Sequence, residues 1–190
     1  MRTHHLILCA VVVGTFVCRG IAVDLDTALS EPVILRTTRG QVLEAPIMVE
    51  HSVRSGFATF PRLVIDAAAD SELTVIERFT SDGNEAGLVC PVVEVRAGAA
   101  ARVKYIAINE LGTSTMQIGH QLAWAERDST VSLSTIALGG DYARVRTEAV
   151  AQGPGSSTRQ TALYFAGGTQ MHDFRTIQSH DAPRSQSNLL

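Results

Sequence analysis

Along most of this chain apolar and polar residues alternate with a period of two rather than 3.6. Residues 47–56 (IMVEHSVRSG), 72–83 (ELTVIERFTSDG), 101–112 (ARVKYIAINELG), 130–140 (TVSLSTIALGG) and 157–168 (STRQTALYFAGG) are stretches rich in β-branched residues, each closing on glycine. Successive strand side chains point to opposite faces, so the pattern predicts strands with one covered face. The closing glycines, at positions 56, 83, 112, 140 and 168, lie 27, 29, 28 and 28 residues apart. Each interval holds a second strand-like stretch: 61–66 (PRLVID), 91–96 (PVVEVR), 116–124 (MQIGHQLAW) and 142–150 (YARVRTEAV). Short turns of small and acidic residues, at 67–71, 97–101, 126–129 and 152–156, join the two strands. The repeating unit is strand, tight turn, strand, glycine turn.

A fixed period of about 28 residues with two strands per unit is too short for a propeller blade, which needs about 40. Sandwich loops seldom recur so evenly, and the pattern predicts stacked coils of a β-solenoid. One coil cannot bury its apolar face alone, so neighbours must stack. Residues 24–182 carry no linker or low-complexity break, and 190 residues suit one domain.

Composition changes this picture little. With 45% hydrophobic and 18% charged residues the chain is globular. A formal net charge of -3 and scattered Lys and Arg give no basis for a nucleic-acid or membrane partner. Cys9, Cys18 and Cys90 form no C-x-x-C pair and too sparse a set for a disulfide framework, which favours a reducing compartment. Residues 6–17 (LILCAVVVGTFV), behind Arg2, His4 and His5, outline a signal peptide but are too short to span a bilayer. No clean small-x-small cleavage site follows, so residues 1–23 read as a hydrophobic leader, either signal-like or an atypical start, and residues 24–190 as the repeat domain. A cytoplasmic location is expected, with a plastid or export as the alternatives.

Three segments carry a family resemblance. They are 60–65 (FPRLVI) with 71–77 (SELTVIE), 139–144 (GGDYAR), and above all 163–190 (LYFAGGTQMHDFRTIQSHDAPRSQSNLL). The last contains Gln-x-His-Asp followed by Thr, a second His, Pro and Ser. In this ordered set the chain resembles the SufB/SufD family, and its SufD side in particular. The resemblance implies a right-handed parallel β-helix and a non-enzymatic role in iron–sulfur cluster assembly. It implies a SufB-type scaffold as partner, with a cluster forming at the shared interface and none held stably by this chain alone. A SufB strand reads Ile-Glu-Gly-Cys-Thr where this chain has Ile76-Glu77-Arg78-Phe79-Thr80. Another SufB stretch reads Cys-Asp-Ser where Ser185-Gln186-Ser187 stand, and a Gln-Asn-Trp stretch is here Ile108-Asn109-Glu110. Thiolate is the soft ligand and sulfur nucleophile of this chemistry, so its absence points to the SufD side. Against the family pattern the β-helix reads as truncated at both ends, which puts binding of a SufC-type ATPase in doubt.

His172, Asp173, His180 and Ser185 are the expected partner-interface or cluster-proximal residues, and His172 and His180 the candidate metal ligands. The competing reading seats His172 in a turn and His180 on a solvated edge. His120 and Trp124 read as core and rim residues without an acidic companion, Arg62 as an arginine holding a turn, and Cys90 as a small buried hydrophobe. Gly139-Gly140 and Gly167-Gly168 lack the Lys-Ser/Thr of a phosphate loop, and no catalytic motif appears. An exported, carbohydrate-binding or structural β-helix is the alternative, but 5% aromatic residues and one Trp give it no stacking groove.

Overall fold

The computed structural model describes residues 31–190 apart from Ser55, Gly83 and Asn84. The leader expected at residues 1–23, with Cys9 and Cys18, and the periodic Gly83 lie outside the described residues. Every element among the described residues is a strand. In order they are β1 (Val33–Arg36), β2 (Ile47–Val53), β3 (Ala58–Thr59), β4 (Arg62–Ala67), β5 (Glu72–Ser81), β6 (Gly87–Val89) and β7 (Val92–Ala97). There follow β8 (Arg102–Glu110), β9 (Thr115–Ala125), β10 (Thr130–Ala137), β11 (Tyr142–Ala151), β12 (Ser157–Tyr164), β13 (Met171–His180) and β14 (Gln186–Leu189).

The chain alternates between two parallel sheets. The first runs β1-β4-β7-β9-β11-β13, and the second runs β2-β5-β8-β10-β12-β14. Each residue pairs with one a single coil further on: Ile47 with Val75, Glu72 with Arg102, Arg102 with Thr130, Thr130 with Ser157, Ser157 with Gln186. This is the β-solenoid that the glycine period predicts, in six coils. Gly56, Gly112, Gly140 and Gly168 all lie where the second sheet hands the chain back to the first. Pro61 and Pro91 cannot donate to a ladder, and each splits its strand into a short piece (β3, β6) and a long one (β4, β7). In the next coil Gly119 sits against Pro91, and β9 runs unbroken past it.

The tight turns between the sheets share one device. Gly40, Asp70, Ala100, Asp128, Gly155 and Arg184 occupy the same turn position, all with φ between 56° and 75°. Through the first five, N–H groups donate to the next coil at Ala69, Ala99, Arg127, Pro154 and Pro183. The following Ser71, Ser129, Ser156 and Ser185 each fold their hydroxyl back onto a turn carbonyl three residues earlier. The turns stack backbone on backbone, and at Gly153 no side chain fits: a Cβ there would lie 2.0 Å from the Arg127 nitrogen.

Inward positions form columns. Leu63, Val93, Gln121, Thr147 and Thr176 stand in register, as do Ile65, Val95, Ala123, Ala149 and Gln178, and Ala67, Ala97, Ala125, Ala151 and His180. The early coils are therefore filled by branched apolar side chains and the later ones by small or polar side chains. A polar cluster interrupts the apolar part: buried Glu77 accepts from the Tyr105 hydroxyl and lies 2.7 Å from Nε2 of buried His51. Burial, then the Glu77 charge and hydrogen bond, push the Tyr105 phenol well above its ordinary value, so it stays a donor.

Two outcomes follow from this packing. Ala100→Gly removes the penalty of a left-handed alanine and raises stability by about 0.5–1 kcal/mol in urea titration, whereas Gly153→Ala lowers it by about 1–3 kcal/mol. Tyr105→Phe strips buried Glu77 of a donor and costs about 1–3 kcal/mol in the same assay.

Candidate functional site

The expected site residues all fall on the last coil, β13 and β14 with their connecting turn. Among the described residues β13 pairs only with β11 and β14 only with β12, so the far edge of each strand has no ladder partner. His172 pairs with Ala143, Phe174 with Val145, Gln178 with Ala149 and His180 with Ala151. Those partners are interior positions, so His172, Phe174, Gln178 and His180 face the solenoid interior, while Asp173 and Arg175 point outward.

His172 belongs to a strand and not, as the competing reading had it, to a turn. Its ring lies 6.2 Å from that of Tyr164 and 6.4 Å from that of Phe174, and its two nitrogens are shielded without a hydrogen-bond partner. His180 sits at the exposed far end of the strand. Its Nδ1 lies 2.7 Å from Ser185 Oγ and its Nε2 lies 2.9 Å from Ser187 Oγ. Ser185 donates its own proton to the Ala182 carbonyl, which leaves it to accept from Nδ1–H and leaves Nε2 to accept from Ser187. His172 and His180 lie eight residue steps apart, which span about 26 Å of extended strand at about 3.3 Å per residue. They cannot ligate one ion, and no group of three His, Cys, Asp or Glu among the described residues could hold a metal.

Asp173 is engaged by Arg144 at 2.7 Å and by Arg175 at 3.3 Å. The Arg144 hydrogen bond, with both guanidinium charges, outweighs burial and holds its carboxyl below the usual carboxylate range. Arg62 lies in β4 rather than a turn and pairs with Glu94 of the next coil. His120 has an acidic companion after all: Glu148, one coil on, at 3.0 Å. Burial works to raise the Glu148 carboxyl, but hydrogen bonds and charges from Arg146 and His120 hold it below its ordinary value. Trp124 is capped by the Arg96 guanidinium, 5.4 Å from the ring.

No reactive thiolate is found among the described residues. Cys90, between β6 and β7, is half-buried, and burial pushes its thiol up. Phe79 is a core residue stacked on His51 at 5.0 Å. Sequence inspection missed the His51–Glu77–Tyr105 cluster and the His120–Glu148 pair. The first was within reach, because Glu77 occupies an inward position of its alternating strand; the second was not, because the register partner of His120 is Arg146 and Glu148 lies two residues further along β11.

The Arg144–Asp173 pair makes a pH-dependent contribution of known sign. A carboxyl depressed in the folded state stabilises above its unfolded value, about 3.9, and the contribution is lost as pH falls through the folded value. The stability difference between the native chain and Asp173→Asn is therefore present at neutral pH and vanishes on acidification below about pH 4, as followed by urea titrations at stepped pH.

Comparison with known proteins places this geometry. Residues 49–190 match the family model described as SUF system FeS cluster assembly, SufBD core domain. The iron-sulfur cluster assembly SufBD family protein of Mycobacterium leprae (strain TN) is 27% identical over 135 residues, covering 71% of this chain and 33% of that relative. The chain thus spans about a third of the length of the curated relative it matches. A solenoid of stacked two-strand coils and a family match over most of its length lead to one assignment: the chain belongs to the SufBD core domain family.

Proposed function

We propose that this chain acts in iron–sulfur cluster assembly as a non-catalytic, SufD-like subunit that pairs with a SufB-type scaffold through its last coil. The observation that carries the reading is chemical. Where the SufB strand has a thiol, this chain has Phe79, buried and stacked on His51. Ser185 and Ser187, which stand in place of the SufB Cys-Asp-Ser, are hydrogen-bonded to His180. Cys90 is half-buried and its thiol is held protonated by burial. Without a thiolate, positions 79 and 185 neither accept persulfide sulfur nor anchor a cluster.

Partnering fits the same end of the molecule. Among the described residues the far edges of β13 and β14 carry no ladder partner and can accept a further strand. Leu163, Tyr164, Phe165 and Leu189 lie exposed beside them and supply apolar area to cover. A cluster would then form at the junction, near His172 or His180, with the thiolates coming from the partner. Neutral imidazole is a competent iron ligand beside thiolate sulfur.

Co-expression with a SufB-type protein followed by affinity purification recovers the pair. His172→Ala or His180→Ala lowers the cluster content of the pair by about tenfold, read from iron and sulfide analysis, with a small shift in thermal midpoint. Incubated alone with a persulfide donor, the purified chain takes no sulfur at positions 79 or 185. Stoichiometric cluster assembly by the isolated chain, or equal loss of folding and cluster in the histidine variants, overturns the assignment.

A further inference from the structure

The outer face of the first sheet carries an arrangement that neither the solenoid nor the proposed pairing uses. Leu88 pairs with Met116, Met116 with Tyr142 and Tyr142 with Met171. Four consecutive coils thus present a large apolar side chain at one register position, all pointing away from the interior. Met116 is 41% exposed, Met171 58% and the neighbouring Ile118 48%. Polar residues would cost nothing on a solvated sheet face, so an ordered apolar row of this kind marks a contact surface.

Beside the row runs a positive margin. Arg144 lies two residues along the strand from Tyr142, and Arg146 four, placing the margin about 7–13 Å away at about 3.3 Å per residue. Arg146 stands directly opposite Arg175 on the neighbouring strand, a like-charged pair that is unfavourable unless anions lie near it. Glu148 and Asp173 answer part of this charge. Three guanidiniums against two carboxylates still leave the margin positive, on a chain whose net charge is -3.

We infer that this face docks an amphipathic α-helix of a partner protein, lying along the solenoid axis with its apolar stripe on Leu88–Met116–Tyr142–Met171 and an acidic flank on Arg144, Arg146 and Arg175. The dimensions select a helix. Neighbouring strands are about 4.8 Å apart, so the row extends about 14 Å across four coils. A helix rises about 5.4 Å per turn, and its side chains at i, i+4, i+7 and i+11 meet successive coils nearly in step. An added strand would find no free backbone on this face, because the ladder hydrogen bonds lie in the plane of the sheet. The inference does not rest on the proposed role in cluster assembly, since it uses an outer face and not the edges of the last coil.

The test measures fluorescence anisotropy of labelled helical peptides of about 15 residues, long enough to cross the row. One carries Leu at i, i+4, i+7 and i+11 with Glu along one flank, and the control carries Lys in place of Glu. The full chain binds the acidic peptide at least about tenfold more tightly than the control, and added salt weakens it. Arg146→Glu with Arg175→Glu, and separately Met116→Asp, each reduce that affinity about tenfold while the thermal midpoint moves by only a few degrees. Equal affinity for the two peptides, no binding of either, or unaltered binding by these variants overturns the inference. Binding of the chain to phosphatidylserine vesicles without binding of the acidic peptide also overturns it, in favour of a membrane surface.

Discussion

Each coil turns between the sheets through a residue with positive φ, and the N–H of that residue reaches a carbonyl of the next coil in five consecutive turns. An L-residue in this conformation is disfavoured by about 1–2 kcal/mol, so the conformation persists only where the surroundings demand it. The demand is stacking. If one turn were relaxed to the ordinary right-handed region, its N–H would leave the neighbouring carbonyl and the strands on both sides would lose register. Since a one-residue slip inverts every side chain, the interior columns depend on these turns. The chain meets the requirement with Gly at two turns and Asp at two, and it tolerates Ala100 and Arg184 at the others.

With register set, the interior becomes a stack of columns whose content changes along the axis. Branched apolar side chains at Leu63, Ile65, Val93 and Val95 give way to Gln121, Thr147 and alanines, and then to Gln178 and His180. Buried polar groups must find partners inside. Gln121 does so with Thr135 and Thr147, Asn109 with Gln117, and Glu77 with His51 and Tyr105. Most of these contacts join residues one coil apart, or face across the two sheets, so they tie the stack together along its length.

In the last described coil the interior positions change character. His172 and His180 occupy inward positions that hold Ala143 and Ala151 one coil earlier, and so present imidazoles where the earlier coils present methyl groups. One ring is held among aromatic neighbours and the other by two serine hydroxyls. Their separation along β13 assigns them to two different environments. Outside the solenoid, rows of Arg, Asp and Glu pair from coil to coil, as in Arg36–Asp66, Arg62–Glu94 and Arg144–Asp173. Exposed pairs of this kind are screened by solvent and add little to stability, but like charges placed opposite each other by a wrong register would be unfavourable.

The alternation of residues and the spacing of Gly56, Gly83, Gly112, Gly140 and Gly168 sufficed to determine strands, coil length and solenoid class. Both are consequences of the two-residue strand period and of turns that recur once per coil, and such local rules are written in consecutive residues. The shift from apolar to polar columns was also legible, once inward positions were counted. Pairing between coils was not. His120 meets Glu148, and Arg62 meets Glu94, each two residues along from its register partner, and because coil lengths vary by a residue or two only the assembled register shows which side chains lie near each other. The same holds for His172 and His180. Eight residues apart, they could share a site across a turn, and only the extended backbone of β13 separates them by its full length.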